Sequence, residues 1–139
     1  MRILMIDAQS GRLAAQIIEG LRKAGLADEH QIIAVGTNAL ATSGMISAGA
    51  NLGATGENAV CVQCRKADII VGPIGITLAD AMLGEITPAM AAAVGSSDAI
   101  RVLIPSDRCE TYVIGVTPMT RKQQIDAAVA QVLTLCSKE

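Results

Sequence analysis

Three short apolar runs, Arg2 to Ile6, Gln31 to Val35 and Ile69 to Val71, each end in a polar or glycine-bearing turn and are followed by helical patterning. A continuous apolar run has no solvent face, so it suits a strand buried on both sides of a parallel sheet. Parallel neighbours need long crossovers, and the helical stretches between the runs supply them. This alternation constrains the chain to an α/β fold more strongly than any other feature.

After the first run, Leu13, Ile17 and Leu21 recur at four-residue spacing, with Ser10 as the expected N-cap and Gly25 as the stop. Gly36 closes the second run, and Thr37 or Asn38 caps a helix rich in small residues reaching about Ala48. The stretch Gly49 to Gly56 carries three glycines and no periodicity, so it reads as a loop before a short helix over Glu57 to Lys66. Beyond the third run, Thr77 and Asp80 form a capping-box-like start for a short helix ended by Gly84, and Thr87-Pro88 starts another through Val94.

Ile100 to Ile104 is the fourth strand. Thr111 to Val116 is expected to be a fifth, too close for a helical crossover and therefore antiparallel at the sheet edge. A capping box at Thr120 and Gln123 opens the closing helix, whose apolar face holds Ile125, Ala128, Val129, Val132, Leu133 and Cys136. The expectation is one Rossmann/flavodoxin-like domain over residues 1–139, with a doubly wound, mostly parallel sheet of five strands. Two strand orders fit, flavodoxin-like 2-1-3-4-5 and a truncated dinucleotide-fold order, and both place a ligand crevice at the C-terminal strand ends near the first strand.

Composition narrows the function classes. With 51% hydrophobic residues but one Tyr and no Phe or Trp, the core must be built from Ile, Val, Leu, Met and Ala. A formal net charge of −2 supplies no basic footprint for nucleic acid or for an anionic membrane. The longest apolar stretch, Ile69 to Ala79, is bounded by Asp68 and Asp80 and falls short of the roughly 20 residues that span a bilayer. Asp7 interrupts the N-terminal apolar run too early for an export signal, so a cytoplasmic location is expected. High apolarity in a small chain also favours a homo-oligomer.

The turn Asp7-Ala8-Gln9-Ser10-Gly11-Arg12-Leu13-Ala14 stands where a dinucleotide-binding fingerprint would be, but only Gly11 remains of its glycines. Helix N-terminal amides with Ser10 and Arg12 could hold one phosphate or carboxylate, with Asp7, Gln9 and Gly11 beside it. The end of the second strand reads Gly36-Thr37-Asn38, without the acid that holds an NAD ribose or an Arg for NADP, so NAD is not expected there. Thr37 and Asn38 remain as hydrogen-bonding candidates.

Thr55-Gly56-Glu57-Asn58 delivers a carboxylate and an amide to a helix start. Glu57 could serve as general base or divalent-metal ligand, with Asn58 orienting substrate, or the acid could simply stabilise the helix N-terminus. Gly72-Pro73-Ile74-Gly75 offers a rigid, open backbone at the expected switch point. Glu85, in Gly84-Glu85-Ile86-Thr87-Pro88, could also reach the crevice, and whether it converges with Asp7 and Glu57 is left open. Cys61 and Cys64 have C-x-x-C spacing, but Cys61 lies inside its helix rather than at the N-terminus, which points to packing. Cys109 falls in a loop, Cys136 lies on an apolar stripe, and no second pair completes a zinc site, so no metal is expected. His30 reads as a solvated loop residue.

The strings Gly36-Thr37-Asn38-Ala39, Ala54-Thr55-Gly56-Glu57-Asn58-Ala59, Gly72-Pro73-Ile74-Gly75-Ile76 and Gly84-Glu85-Ile86-Thr87-Pro88 together resemble a bacterial family of uncharacterised proteins, a domain-of-unknown-function family. The resemblance covers nearly the whole chain. It implies a Rossmann-like fold and brings no activity, cofactor or catalytic residue. The turn after the first strand is usually richer in glycine in that family, and this chain departs from it between Ala8 and Ala14.

The leading reading is therefore a binding protein for a nucleotide or another phosphorylated or carboxylated metabolite. The second is an enzyme acting on such a ligand through Glu57. The third is an assembly component whose apolar surface meets itself or a partner.

Overall fold

The computed structural model describes residues 1–106 and 110–138, and Cys109 lies outside them. The elements run β1 (Arg2–Asp7), α1 (Arg12–Lys23), a short α2 (Leu26–Glu29), β2 (Gln31–Gly36), α3 (Ala39–Ser47), β3 (Leu52–Thr55), α4 (Glu57–Cys64), β4 (Ile69–Pro73), a 3-10 turn (Ile74–Thr77), α5 (Pro88–Ser96), β5 (Ile100–Ile104) and α6 (Arg121–Cys136). The five strands pair in the order β3-β2-β1-β4-β5 with every pair parallel. The four strands expected from the sequence lie in the flavodoxin-like order, 2-1-3-4 in their own count, and Leu52–Thr55 added outside β2 makes the full sheet 3-2-1-4-5, with β1 central and the direction of winding reversing between β1 and β4.

The continuous apolar runs do what their lack of a polar face requires. Ile3, Leu4 and Met5 are fully buried, and their alternation divides the core into two layers. Ile3 and Met5 pack with Ile17, Ile18 and Leu21 of α1, Met45 of α3 and Val132 of α6. Leu4 and Ile6 pack on the other face with Val60 of α4, Ile76 of the 3-10 turn and Val94 of α5. Each such side chain, taken fully from water, contributes about 1.5–3 kcal/mol, which explains how a core nearly free of aromatics holds.

Three expectations are corrected. Leu52–Thr55 is an edge strand, in register with β2 from Ile33↔Leu52 to Gly36↔Thr55, rather than a loop. It is held through its backbone while Leu52 is half exposed, so no side-chain periodicity announces it. Thr111 to Val116 forms no strand: Ile114-Gly115 makes a turn, with Gly115 at φ +89°, and breaks the extended backbone that an antiparallel partner for β5 would need. No helix starts at Thr77 either. Asp80, Met82 and Leu83 have φ of 64°, 55° and 57°, left-handed values that no right-handed helix accommodates.

Gly72 shows how tightly the central strands are fitted. A Cβ there would run into the carbonyl oxygen of Ile6 on the neighbouring strand, and backbone cannot move aside as a side-chain end can. Gly95 in α5 faces open space. Gly72→Ala is predicted to destabilise the fold by about 1–3 kcal/mol and Gly95→Ala to stabilise it by about 0.5 kcal/mol. Urea unfolding midpoints check both, and equal shifts would refute the packing argument.

Candidate functional site

The site begins with a helix that lacks its own cap. Gly11 is the N-cap of α1, at φ +69° and without a side chain, and a Cβ there would lie 2.7 Å from the Ala41 Cα of α3. Ser10, the expected cap, brings its Oγ only to 3.4 Å from the Arg12 amide. The capping oxygen comes instead from Asp7. Its Oδ2 accepts from the Ala14 N–H at 3.0 Å, in the first turn of α1, and its Oδ1 accepts from the Ala8 N–H at 2.8 Å. The end of β1 thus fixes the start of α1 through one carboxylate.

Asp7 is buried, and burial pushes its pKa above the ordinary value of 3.8. The two amides and the charge of Arg121 pull it down, and Glu85 adds to the rise.

Beside this turn lies a crevice of about 510 Å³. Its walls are the turn from Asp7 to Leu13, Pro73 of β4, the loop tip Met82-Leu83, Ser106 after β5, and Arg121. Arg12 is the first residue of α1 and Arg121 the first of α6, and neither helix carries an acid in its first turn. A cation at a helix N-terminus opposes the helix dipole, which favours anions there. Two helices that break this rule bring two guanidinium groups to one crevice, whose wall carries Asp7 as its acid. Among the described residues neither guanidinium has a hydrogen-bond or ion-pair partner.

The segment from Leu78 to Ile86 folds over the same end of the sheet as a closed loop. The Asp80 N–H donates to the Ile86 carbonyl at 2.7 Å, the Ile86 N–H to Ala81 at 3.2 Å and the Gly84 N–H to Asp80 at 3.1 Å. Ile86 anchors it in the core, while Leu83 at its tip is 98% exposed. Glu85 ties the loop to the sheet. Its Oε1 accepts from the Asn38 Nδ2 at 2.7 Å, the Thr37 Oγ1 at 2.8 Å and the Gln9 N–H at 3.1 Å. Partial burial works to raise the Glu85 pKa, but these three donors outweigh it and hold the carboxyl below its usual value.

Asp7, Gln9, Ser10, Gly11 and Pro73 all line the crevice. Thr37 and Asn38 sit at the end of β2, with their donors on Glu85 and the Asn38 Oδ1 accepting from the Ala41 N–H at 2.9 Å to cap α3. Gly72 and Gly75 are buried and line no part of the crevice. The Thr55 Oγ1 lies 2.7 Å from the Thr42 Oγ1, where it joins β3 to α3. Gly56, Glu57 and Asn58 begin α4 beyond the far strand, Glu57 and Asn58 exposed, and none of them reaches the crevice. Asp7 and Glu85 therefore come together without Glu57. Burial pushes the Cys64 thiol up to about 11, so it stays protonated at neutral pH. Among the described residues, no three of His, Cys, Asp and Glu gather as a metal site.

Arg121, Met82, Leu83 and Ser106 were not indicated by any motif. The one available signal was electrostatic, an arginine placed first in a helix with a clear capping box.

A family model described as Domain of unknown function (DUF3842) matches residues 2–137. No curated protein matches the sequence. Among solved structures, the chain is similar to a dodecameric FMN-dependent UbiX-like decarboxylase from Escherichia coli O157:H7, at 14% identity over 99% of this chain and 94% of that one, with a TM-score of 0.55. That likeness shows the fold. A universal stress protein in complex with cAMP is 20% identical over 72% of this chain and 94% of that one, with a TM-score of 0.39, too distant to bear on the site. No helix among the described residues is long and apolar enough to cross a membrane.

The raised pKa of Asp7 has a defined sign in stability. A carboxyl that holds its proton more tightly when folded costs stability above its folded pKa, and that cost is relieved as pH falls from there towards 3.8. Relative to Asp7→Asn, the wild type is predicted to gain stability over that acidic window and level off below it. Removing the carboxylate also leaves one of two buried N–H groups facing another donor, a loss of about 1–3 kcal/mol at neutral pH. Urea unfolding of both proteins from pH 3.5 to 7 measures the two effects, and parallel curves would exclude a shifted Asp7.

Proposed function

We propose that this chain, which belongs to the family described as Domain of unknown function (DUF3842), binds a small metabolite through its phosphate or carboxylate group in the crevice beside β1. The observation that carries this reading is the pair Arg12 and Arg121, each opening a helix and both lining one cavity at the switch point of the sheet. An anion there would meet two guanidinium groups and two helix N-termini, and would relieve the repulsion between the arginines and the dipoles. Asp7 already occupies the Ala14 amide, so the ligand's charge belongs on the outer, arginine side of the turn, and a glycine-loop pyrophosphate site is disfavoured. Glu57, remote from this cavity, has the place of a helix-terminal acid.

Melting temperatures in the presence of inorganic phosphate, citrate, sugar phosphates, mononucleotides and FMN test the proposal, FMN being included because the solved decarboxylase depends on it. Anionic compounds are expected to stabilise the protein and their uncharged counterparts to leave it unchanged. A ligand at 100 times its Kd adds about 2.7 kcal/mol. Arg121→Gln is expected to weaken binding about tenfold. If no anion stabilises the wild type, the proposal fails.

A homo-oligomer is a second reading, supported by a different surface. Tyr112 and Ile114 are 85% and 94% exposed, and Val116 and Met119 about half exposed, on the segment beside the open edge strand β5. Light scattering is expected to give more than one chain per particle, and Ile114→Asp to lower that number. A monodisperse monomer would refute it.

A further inference from the structure

We infer that the Gln9 N–H, Thr37 and Asn38 form a receptor for an oxyanion, either carboxylate or phosphate, and that Glu85 is its built-in occupant, which an incoming ligand group exchanges for itself. Three donors from two separate segments converge on one carboxylate oxygen, at 2.7, 2.8 and 3.1 Å. The backbone and the Asn38 amide are held without Glu85, whereas the Thr37 hydroxyl has Glu85 as its acceptor. Asn38 is fixed by capping α3 through its Oδ1 and by donating to the Gln9 carbonyl at 3.0 Å, and the Thr37 N–H is held by the Asp7 carbonyl at 3.1 Å. Gln9 is held in a left-handed conformation, φ +54°, that turns the chain sharply after β1. All of the receptor except the Thr37 hydroxyl rotamer is therefore preformed.

The occupant is the opposite. Glu85 rides on a loop whose tip, Met82 and Leu83, adopts left-handed φ without the glycine that favours it; Leu83 is 98% exposed, whereas Met82 is partly buried against the same core cluster as Ile86. The exchange asks only the Glu85 side chain and the exposed Leu83 to move, while Met82 and Ile86 stay packed on the core. Gln9, Met82 and Leu83 also line the arginine crevice, so the receptor and the crevice share a wall. This inference rests on the crevice reading for its natural ligand, which would span the two, but the receptor can be probed by itself.

The probes are acetate and inorganic phosphate, titrated against wild type, Glu85→Gln, Glu85→Ala, Glu85→Ala with Thr37→Val, and Arg121→Gln, with melting temperature and the Asn38 side-chain amide NMR signals as readouts. Glu85→Ala, and to a smaller degree Glu85→Gln, is expected to bind at least one of the two anions at least about tenfold more tightly than wild type, because the competing carboxylate is gone. Thr37→Val should abolish the gain, and the preferred anion identifies the ligand group. Unchanged affinity in both Glu85 variants, with Asn38 signals that ignore the anion, would make Glu85 a structural tie and overturn the inference. If Glu85→Ala fails to fold, Glu85→Ser, which also withdraws the carboxylate from the three donors, takes its place. The two readings fail separately: Arg121→Gln with unaltered binding sinks the crevice reading, whereas a Glu85 variant with no gain sinks only this one.

Discussion

The geometry of the sheet's C-terminal end depends on one buried carboxylate. Asp7 reaches forward to the first turn of α1 and back to its own following amide, so the angle at which α1 leaves β1 is set by two hydrogen bonds of 3.0 and 2.8 Å. A neutral cap such as Ser10 would act on α1 from outside the core. Asp7 acts from the strand itself, and this ties helix and sheet into one rigid corner. Gly11 completes the corner by letting α3 approach to a distance that excludes any side chain. The turn from Asp7 to Leu13, the inner wall of the crevice, is mounted on that corner.

The electrostatic layout follows from it. Asp7 occupies the Ala8 and Ala14 amides, and the guanidinium groups of Arg12 and Arg121 stand on the crevice wall outside them. Nearby, the Glu85 carboxylate satisfies the donors at the end of β2. Acid and base are thereby sorted by depth: carboxylates against backbone and amide donors, guanidinium groups towards the open cavity. An arrangement of this kind has a cost in local stability, since cations at helix starts oppose the dipole, and such departures from local rules gather at functional sites.

The fold was legible where burial writes a pattern. Continuous apolar runs identified β1, β2 and β4, the β-branched stretch stopped by Pro105 identified β5, and capping chemistry located the starts of α5 and α6 at Thr87-Pro88 and Thr120. It was illegible where backbone alone does the bonding, as in β3, whose partly exposed Leu-Gly-Ala-Thr carries no periodicity. The reverse error arose at Thr111 to Val116, where β-branched residues suggest a strand but the Ile114-Gly115 turn prevents it. Within the site, residues of the first turn were readable because they are contiguous after a strand. Arg121 was not, since it is distant in sequence and meets the turn only through the α1-α6 packing that follows from the strand order. Thr37 and Asn38 were found as polar residues at a strand end, but that their partner would be Glu85, 48 and 47 positions away, is a property of the loop's closure.

That closure also explains why the loop from Leu78 to Ile86 matters more than its irregular backbone suggests. A loop held only by its own hydrogen bonds would be free to sample many positions, and one held by core packing would not move. This one has its end in the core at Ile86, a hydrogen-bonded carboxylate beside it at Glu85, and at its tip Met82 against the core and Leu83 in solvent beside the proposed ligand site. A group that enters the crevice touches Met82 and Leu83 directly, and Gln9 belongs both to the crevice wall and to the donors that hold Glu85. The exchange proposed at Glu85 therefore needs no long pathway, because Gln9, Met82 and Leu83 line the cavity and the Gln9 N–H also donates to Glu85.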